Sequence, residues 1–223
     1  MKKSLLLCST ALALGVTTNA NAMDFGKNFY GLANATIGYS LQVLDGDLKD
    51  MVVNGEDFYD KSKLTHGLTL GVGYNVYYRL NNFINPFIGL NVEGRIPLKS
   101  KLYSCRVYDD DDNVGEETIK FKDFFAMHAK LGAKMNLSKN IDVAPYYLIG
   151  FNIAKLISSD SVNSEENFSK TKAGLSTGIG VDTILFNRYL VGVEYKYSMI
   201  NKIANDVKAE GHQIGIKFGA QFL

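Results

Sequence analysis

Apolar and polar residues alternate along this chain with a period of two. Between residues 64 and 78 one parity carries Leu64, Leu68, Leu70, Val72, Tyr74, Val76 and Tyr78, and the other Thr65, Gly67, Thr69, Gly71, Gly73 and Asn75. Successive side chains of a β-strand point to opposite faces, so this segment makes one apolar face and one small, polar face. The pattern recurs over residues 29–43, 84–96, 123–137, 141–153, 172–182, 189–198 and 213–222, which predicts eight strands. Each is about as long as a tilted strand must be to cross a bilayer.

The segments between these strands alternate in length. Residues 44–63, 97–122, 158–170 and 199–210 are long and polar, whereas residues 79–83, 138–140 and 185–188 are short. An up-and-down barrel with both chain ends on the short-turn side requires that order. In barrels of the outer membrane the short turns are periplasmic and the long loops face outside. The predicted fold class is therefore all-β: an eight-stranded antiparallel up-and-down transmembrane β-barrel with four long extracellular loops and three short periplasmic turns. Pro86 and Pro145 each follow a short turn, near a strand start, where a missing N–H is tolerated.

Period two does not say which face points outward. The rival arrangement is a soluble calyx with the apolar face inside. The polar parity is rich in Gly, Ser, Thr and Asn, as suits a narrow interior where many side chains converge. A soluble exterior carries denser charge, and the chain has no Trp for the Gly-x-Trp signature of lipocalins. Phe29, Tyr39, Tyr74, Tyr78, Tyr189, Tyr195 and Tyr197 gather near strand ends on the apolar parity, like the aromatic girdles of membrane barrels. With the apolar parity outward, Glu93, Arg95, Lys130, Lys134, Asp182, Glu194, Lys196 and Lys217 point into the lumen. Buried charges must pair, so a lumenal network is expected in which Arg95 and the lysines bridge Glu93, Asp182 and Glu194.

The amino terminus adds a location. Met1-Lys2-Lys3, an apolar run from Leu5 to Val16 and Ala20-Asn21-Ala22 form the pattern of a secretory signal peptide cut after Ala22. The expected organisation is a cleaved leader at residues 1–22 and an outer-membrane barrel domain at residues 23–223. The apolar run is too short for a spanning helix, and no long one follows. A mature chain in a membrane must then cross as a closed barrel, which satisfies every backbone group in lipid. Of the 2 cysteines, Cys8 leaves with the leader and Cys105 remains in the second long segment, so no intrachain disulfide is expected. With 24 basic and 23 acidic residues, the chain has no excess charge to attract nucleic acid.

Candidate chemistry is sparse. His66, His128 and His212 lack zinc-ligand spacing and the His-x-Ser pair of lipid A deacylases. A Ser–His–acid site assembled from distant residues stays open, with structural or rim roles favoured for all three. The acidic run Asp109–Asn113, with Glu116 and Glu117, has Val114 where a calcium loop of the EF-hand kind needs Gly, and reads as a solvated loop tip. No cofactor, metal or catalytic residue is expected.

Short motifs resemble known barrels. Val191-Gly192-Val193-Glu194-Tyr195-Lys196-Tyr197 resembles the penultimate strand of small outer-membrane barrels of the OmpA and OmpX kind. Gly215-Ile216-Lys217-Phe218-Gly219-Ala220-Gln221-Phe222 resembles their closing strand. Gly71-Val72-Gly73-Tyr74-Asn75 and Asn85-Pro86-Phe87-Ile88-Gly89 look like surface-antigen and adhesin barrels of rickettsia-like intracellular bacteria. The resemblance implies an assembly signal at Phe218 and Phe222, read by the outer-membrane barrel assembly machinery. Here the aromatic is one residue short of the end, at Leu223. It also implies a non-enzymatic surface adhesin or antigen, surrounded by outer-membrane lipid, that binds host surface or serum proteins through loops carrying Phe58, Tyr59, Tyr103 and Tyr108. The alternatives are a structural or weakly conducting barrel and, behind it, a lipid A-modifying enzyme.

Overall fold

The computed structural model describes residues 23–24, 28–46, 62–108, 114–160, 168–204 and 207–222. The leader expected at residues 1–22 lies outside the described residues. The strands are β1 (Met23–Asp24), β2 (Phe29–Asp45), β3 (Leu64–Tyr78), β4 (Ile84–Lys99), β5 (Lys101–Tyr108), β6 (Val114–Ser138), β7 (Ile141–Asp160), β8 (Phe168–Leu185), β9 (Tyr189–Ala204) and β10 (Val207–Phe222). Their hydrogen-bonded order is β1-β2-β10-β9-β8-β7-β6-β4-β3, and β3 pairs back with β2. The sheet thus closes on itself as an all-β barrel of the transmembrane type. Closure runs from Glu210 opposite Asp45 to Phe222 opposite Ala33, so that among the described residues β2 and β10 present no open edge to lipid.

The two parities take opposite sides of this wall. Ile88, Leu131, Ile179 and Ile214 on the outer face are 62%, 64%, 60% and 58% exposed, while Asn34, Ser40, Asn91, Lys196 and Gln213 are buried inside. A soluble calyx would show the reverse. The apolar outer face is stable only against lipid, where its exposure costs nothing.

Several strands outrun their sequence-based bounds. The segment 97–122, expected as one long loop, holds the end of β4, all of β5 and the start of β6; β5 pairs with β6 from Lys101 to Tyr108. Segment 199–210 is largely a hairpin, with Val207 opposite Ala204. β7 reaches Asp160 and β8 begins at Phe168, so segment 158–170 is also partly strand.

The physical reason is an inversion of polarity along each strand. In β7 the inward residue changes from Asn152 to Ala154 and Leu156, while the outward residue changes from Ile153 to Lys155. In β9 inward Ser198 gives way to Ile200, and in β2 inward Gln42 gives way to Leu44. Beyond the lipid belt the outside meets water, so the interior becomes a conventional apolar core. That core contains Leu44, Leu102, Ile119, Phe121, Ala154, Leu156, Ile200, Ile203 and Ala209. A second apolar cluster, of Leu32, Tyr77, Phe87, Ala144, Tyr146 and Leu148, lies toward the short-turn end. The polar belt is held between the two.

The short turns are tight. β8 and β9 are joined through Phe186 and Asn187, whose φ angles of 53° and 55° match the twist of the flanking strands. The Arg188 N–H donates to the Leu185 carbonyl at 3.0 Å.

Candidate functional site

The lumen concentrates the chemistry of this chain. Its charged groups come from β4, β6, β7, β8, β9 and β10, whose inward side chains converge in the middle of the barrel. Glu93 on β4 meets Lys196 on β9 at 2.5 Å, and Lys196 also reaches Glu194 at 2.7 Å. Lys217 on β10 lies 3.0 Å from Asp182 on β8 and 3.4 Å from Glu194. The Tyr146 hydroxyl donates to Glu194 at 2.8 Å and accepts from the Lys217 ammonium at 2.7 Å. Asn91 donates to the second oxygen of Glu93 at 2.7 Å. Each carboxylate therefore has both charge compensation and hydrogen bonds, the condition under which a buried ion pair is tolerated.

Arg95 departs from the expected network. Its guanidinium turns to Asp123 at 3.3 Å, and it donates to Gln42 at 2.8 Å and to Ser40 at 2.6 Å and 3.0 Å. Asp123 shares the odd parity of lipid-facing Phe125 and would be read as outward. A register shift between Asp123 and Phe125 makes Phe124 an extra residue, and the bulge turns odd residues above it inward. Nothing in the alternation announces this bulge beyond the adjacent Phe124-Phe125 pair. Lys134 pairs with Asp142 at 3.5 Å. Lys130 sits over the ring of Tyr146, 4.4 Å from its centroid. Asp142 and Tyr146 were legible as inward by parity, but their partners across the lumen were not.

The interior is filled. Among the described residues, the gaps beside Glu93, Arg95 and Lys196 amount to about 10 Å³ and 20 Å³, room for roughly a water molecule each. One of them is lined by His128 and Asn152. His128 Nε2 lies 2.7 Å from the Ser176 hydroxyl, but its Nδ1 has no hydrogen-bond partner. Among the described residues the Ser–His pair thus has no orienting acid, the third member of a nucleophilic triad. Among the described residues no cluster of His, Cys, Asp and Glu has the arrangement to hold a metal ion. His66 and His212 lie at the rim, 5.7 Å from the Tyr39 ring and hydrogen-bonded to Tyr195 at 2.6 Å respectively.

The remaining sequence-predicted residues are dispersed. Phe58 and Tyr59 lie outside the described residues, as do Asp109–Asn113 and Leu223. Tyr103 and Tyr108 are strand residues of β5, opposite Ile119 and Val114, and Cys105 is opposite Glu117. Phe218 stands on the outer face, 54% exposed. Phe222 pairs with Ala33 at the end of β10.

The family description "Outer membrane protein beta-barrel domain" matches residues 7–222. The chain belongs to that family. It is an outer-membrane β-barrel protein, embedded in outer-membrane lipid with its loops on the extracellular side. No curated protein matches its sequence. Among solved structures it is similar to Ail, the attachment invasion locus protein of Yersinia pestis, at 18% identity and a TM-score of 0.44, over 86% of this chain and 99% of that one. It is similar to Neisserial surface protein A at 12% identity and a TM-score of 0.37, over 84% and 95%. The N-terminal barrel domain of Pseudomonas aeruginosa OprF follows at 9% identity and a TM-score of 0.34, over 86% and 99%.

Proposed function

We propose that β2, β3, β4, β6, β7, β8, β9 and β10 form an eight-stranded up-and-down barrel, and that the protein acts as a surface adhesin or antigen. Its extracellular side binds host surface or serum proteins. The observation that carries this reading is where the barrel keeps its apolar interior. Beyond the lipid belt the wall continues around a core of its own, from Leu44 to Ala209. A structural membrane plug needs no such extension. A rigid, ordered platform outside the cell is what recognition segments need for mounting. Phe58, Tyr59, Tyr103 and Tyr108 are the aromatic contacts proposed on this platform.

Other parts of the proposal concern export and assembly. Residues 1–22 are removed on export. Phe218 and Phe222, on the last strand, form the signal for the barrel assembly machinery. The conducting alternative is disfavoured by the small lumenal gaps.

Binding of the purified barrel in nanodiscs to host-cell extracts and serum tests the reading. Barrels with residues 47–61 and 109–113 replaced by short Gly-Ser linkers, and with Tyr103→Ser and Tyr108→Ser, serve as the comparison. Capture of a host protein that is lost with those segments supports it. Equal recovery with intact and shortened barrels, or none with either, defeats it.

A further inference from the structure

We infer that removal of the leader completes the barrel seam: Met23 and Asp24 take the positions on β2 directly beyond the end of β10, so a chain cut after Ala22 closes the seam to its short-turn end and an uncut chain does not. The inference rests on the proposed removal of residues 1–22 and is independent of the adhesin reading.

Register fixes the side on which β1 lies. Tyr30 and Gly31 are opposite Tyr77 and Val76 of β3, so one edge of β2 is already taken at these residues. Met23, opposite Gly31, and Asp24, opposite Tyr30, therefore use the other edge, the one that β10 pairs with from Asp45 down to Ala33. Both β1 and β10 are antiparallel to β2, so they run in the same direction, one after the other, along a single edge. Phe222 is opposite Ala33 and Met23 is opposite Gly31, which leaves Leu32 alone between them. A strand rises about 3.4 Å per residue, so this gap admits one residue.

The backbone hydrogen bonds agree with this placement. The Arg79 N–H donates to the Asn28 carbonyl at 2.7 Å, and the Leu44 N–H donates to the Lys63 carbonyl at 2.8 Å. Even residues of β2 thus turn their backbone groups toward the β3 side. Successive residues of an antiparallel ladder bond to opposite edges, so Gly31 and Ala33 turn theirs to the seam. Gly31 is buried, and a buried N–H without a partner is costly. Met23 supplies that partner, as Phe222 does for Ala33.

Sequence and register agree on one residue. The Ala20-Asn21-Ala22 pattern puts the cut immediately before Met23, and the pairing of β1 with β2 puts the last stretch of the seam at the same point. In an uncut chain Ala22 claims the position opposite Leu32, and the residues before it are directed along the edge that Phe222 and Gln221 occupy. In the cut chain that position is left to the residue after Phe222. The cut therefore decides between the leader and the strand end that carries Phe222, part of the proposed assembly signal.

The test uses chains refolded in detergent, where no export machinery acts. One begins at Met23, one keeps Asn19–Ala22 ahead of Met23, and one begins at Phe25. Amide hydrogen exchange at Gly31 and Ala33 is read by NMR. Both amides are expected to exchange slowly in the chain from Met23. Loss of a ladder hydrogen bond at a strand end speeds exchange by about tenfold or more. The extended chain is expected to show that loss at Gly31, at Ala33 or at both, and the chain from Phe25 at Gly31 only. Equal protection of both amides with and without the extension overturns the proposal, and so does a Gly31 amide indifferent to the loss of Met23 and Asp24. Should the extended chain not refold, an extension by Ala22 alone takes its place, with the same expectations. The intact mass of the chain recovered from outer membranes judges the processing separately. A chain starting at Met23 supports the link between cut and seam, and one starting elsewhere overturns that link, whereas the two amides judge the seam itself.

Discussion

At the scale of single residues, the lumenal charges differ in how many partners depend on each. Glu194 serves two lysines, with Lys196 at 2.7 Å and Lys217 at 3.4 Å, and accepts from Tyr146. Glu93 serves Lys196 and Asn91. Removing one partner of a buried pair typically costs about 3–5 kcal/mol, because the other charge is stranded. Glu93→Gln is therefore expected to lower the melting temperature in detergent measurably, and Glu194→Gln to lower it further, as read by the loss of heat-modifiable migration. Unchanged melting of both would show that the network contributes nothing to stability. The double replacement E93Q/K196M removes charge of both signs together and is expected to recover much of the loss from E93Q, although Glu194 then keeps Lys217 alone.

At the scale of elements, the pairing of β6 with β7 illustrates a constraint that a pattern of polarity does not carry. A Cβ on Gly150 would stand 1.9 Å from the Met127 carbonyl oxygen and 2.8 Å from the Cα of His128. Both obstacles are backbone, so the strands must separate to admit a side chain. Gly150→Ala should reduce the yield of refolded barrel several-fold, whereas Gly94→Ala, where the closest atom is 4.0 Å away, should refold like the wild type. The strand extensions make a separate prediction. Lys120, Lys122 and Lys155 lie outside the lipid belt but within paired strands. Trypsin added to intact cells is expected to leave these three bonds uncut. Mapping of the fragments by mass spectrometry checks this. Cleavage at Lys122 or Lys155 would mean that the hairpins above the membrane are open in solution.

At the scale of the whole molecule, the barrel is a solid layered object: apolar at the short-turn end, ionic in the middle and apolar again outside the membrane. The apolar layers seal the ends of the polar one. Among the described residues, the gaps beside Glu93, Arg95 and Lys196 amount to about 10 Å³ and 20 Å³, room for roughly a water molecule each rather than for a hydrated ion. Planar bilayers containing the purified barrel should show no steady conductance above background. Stable channels of uniform size would contradict the packed interior. Leu156 is 1% exposed in the outer apolar layer. Truncating a buried leucine costs about 2–5 kcal/mol. Leu156→Ala should loosen the extracellular hairpins, giving faster proteolysis there, while the lipid-embedded wall keeps its heat-modifiable migration.

The sequence by itself determined the all-β class, the parity of each alternating segment and the sign of the outer face. These follow from period two and from composition, which act residue by residue and need no knowledge of neighbours. It also placed Glu93, Glu194, Lys196 and Lys217 on one face, because inward parity is a local property. Only the tertiary structure decided which charges meet. Arg95 faces Asp123 because a single bulge at Phe124 reverses the parity above it, and pairing across the lumen depends on the stagger between strands far apart in the chain. The ends of the strands were likewise decided in three dimensions. Where the surroundings change from lipid to water, the same alternation continues with its meaning reversed, so charged stretches such as Lys120–Lys122 look like loop although they are strand.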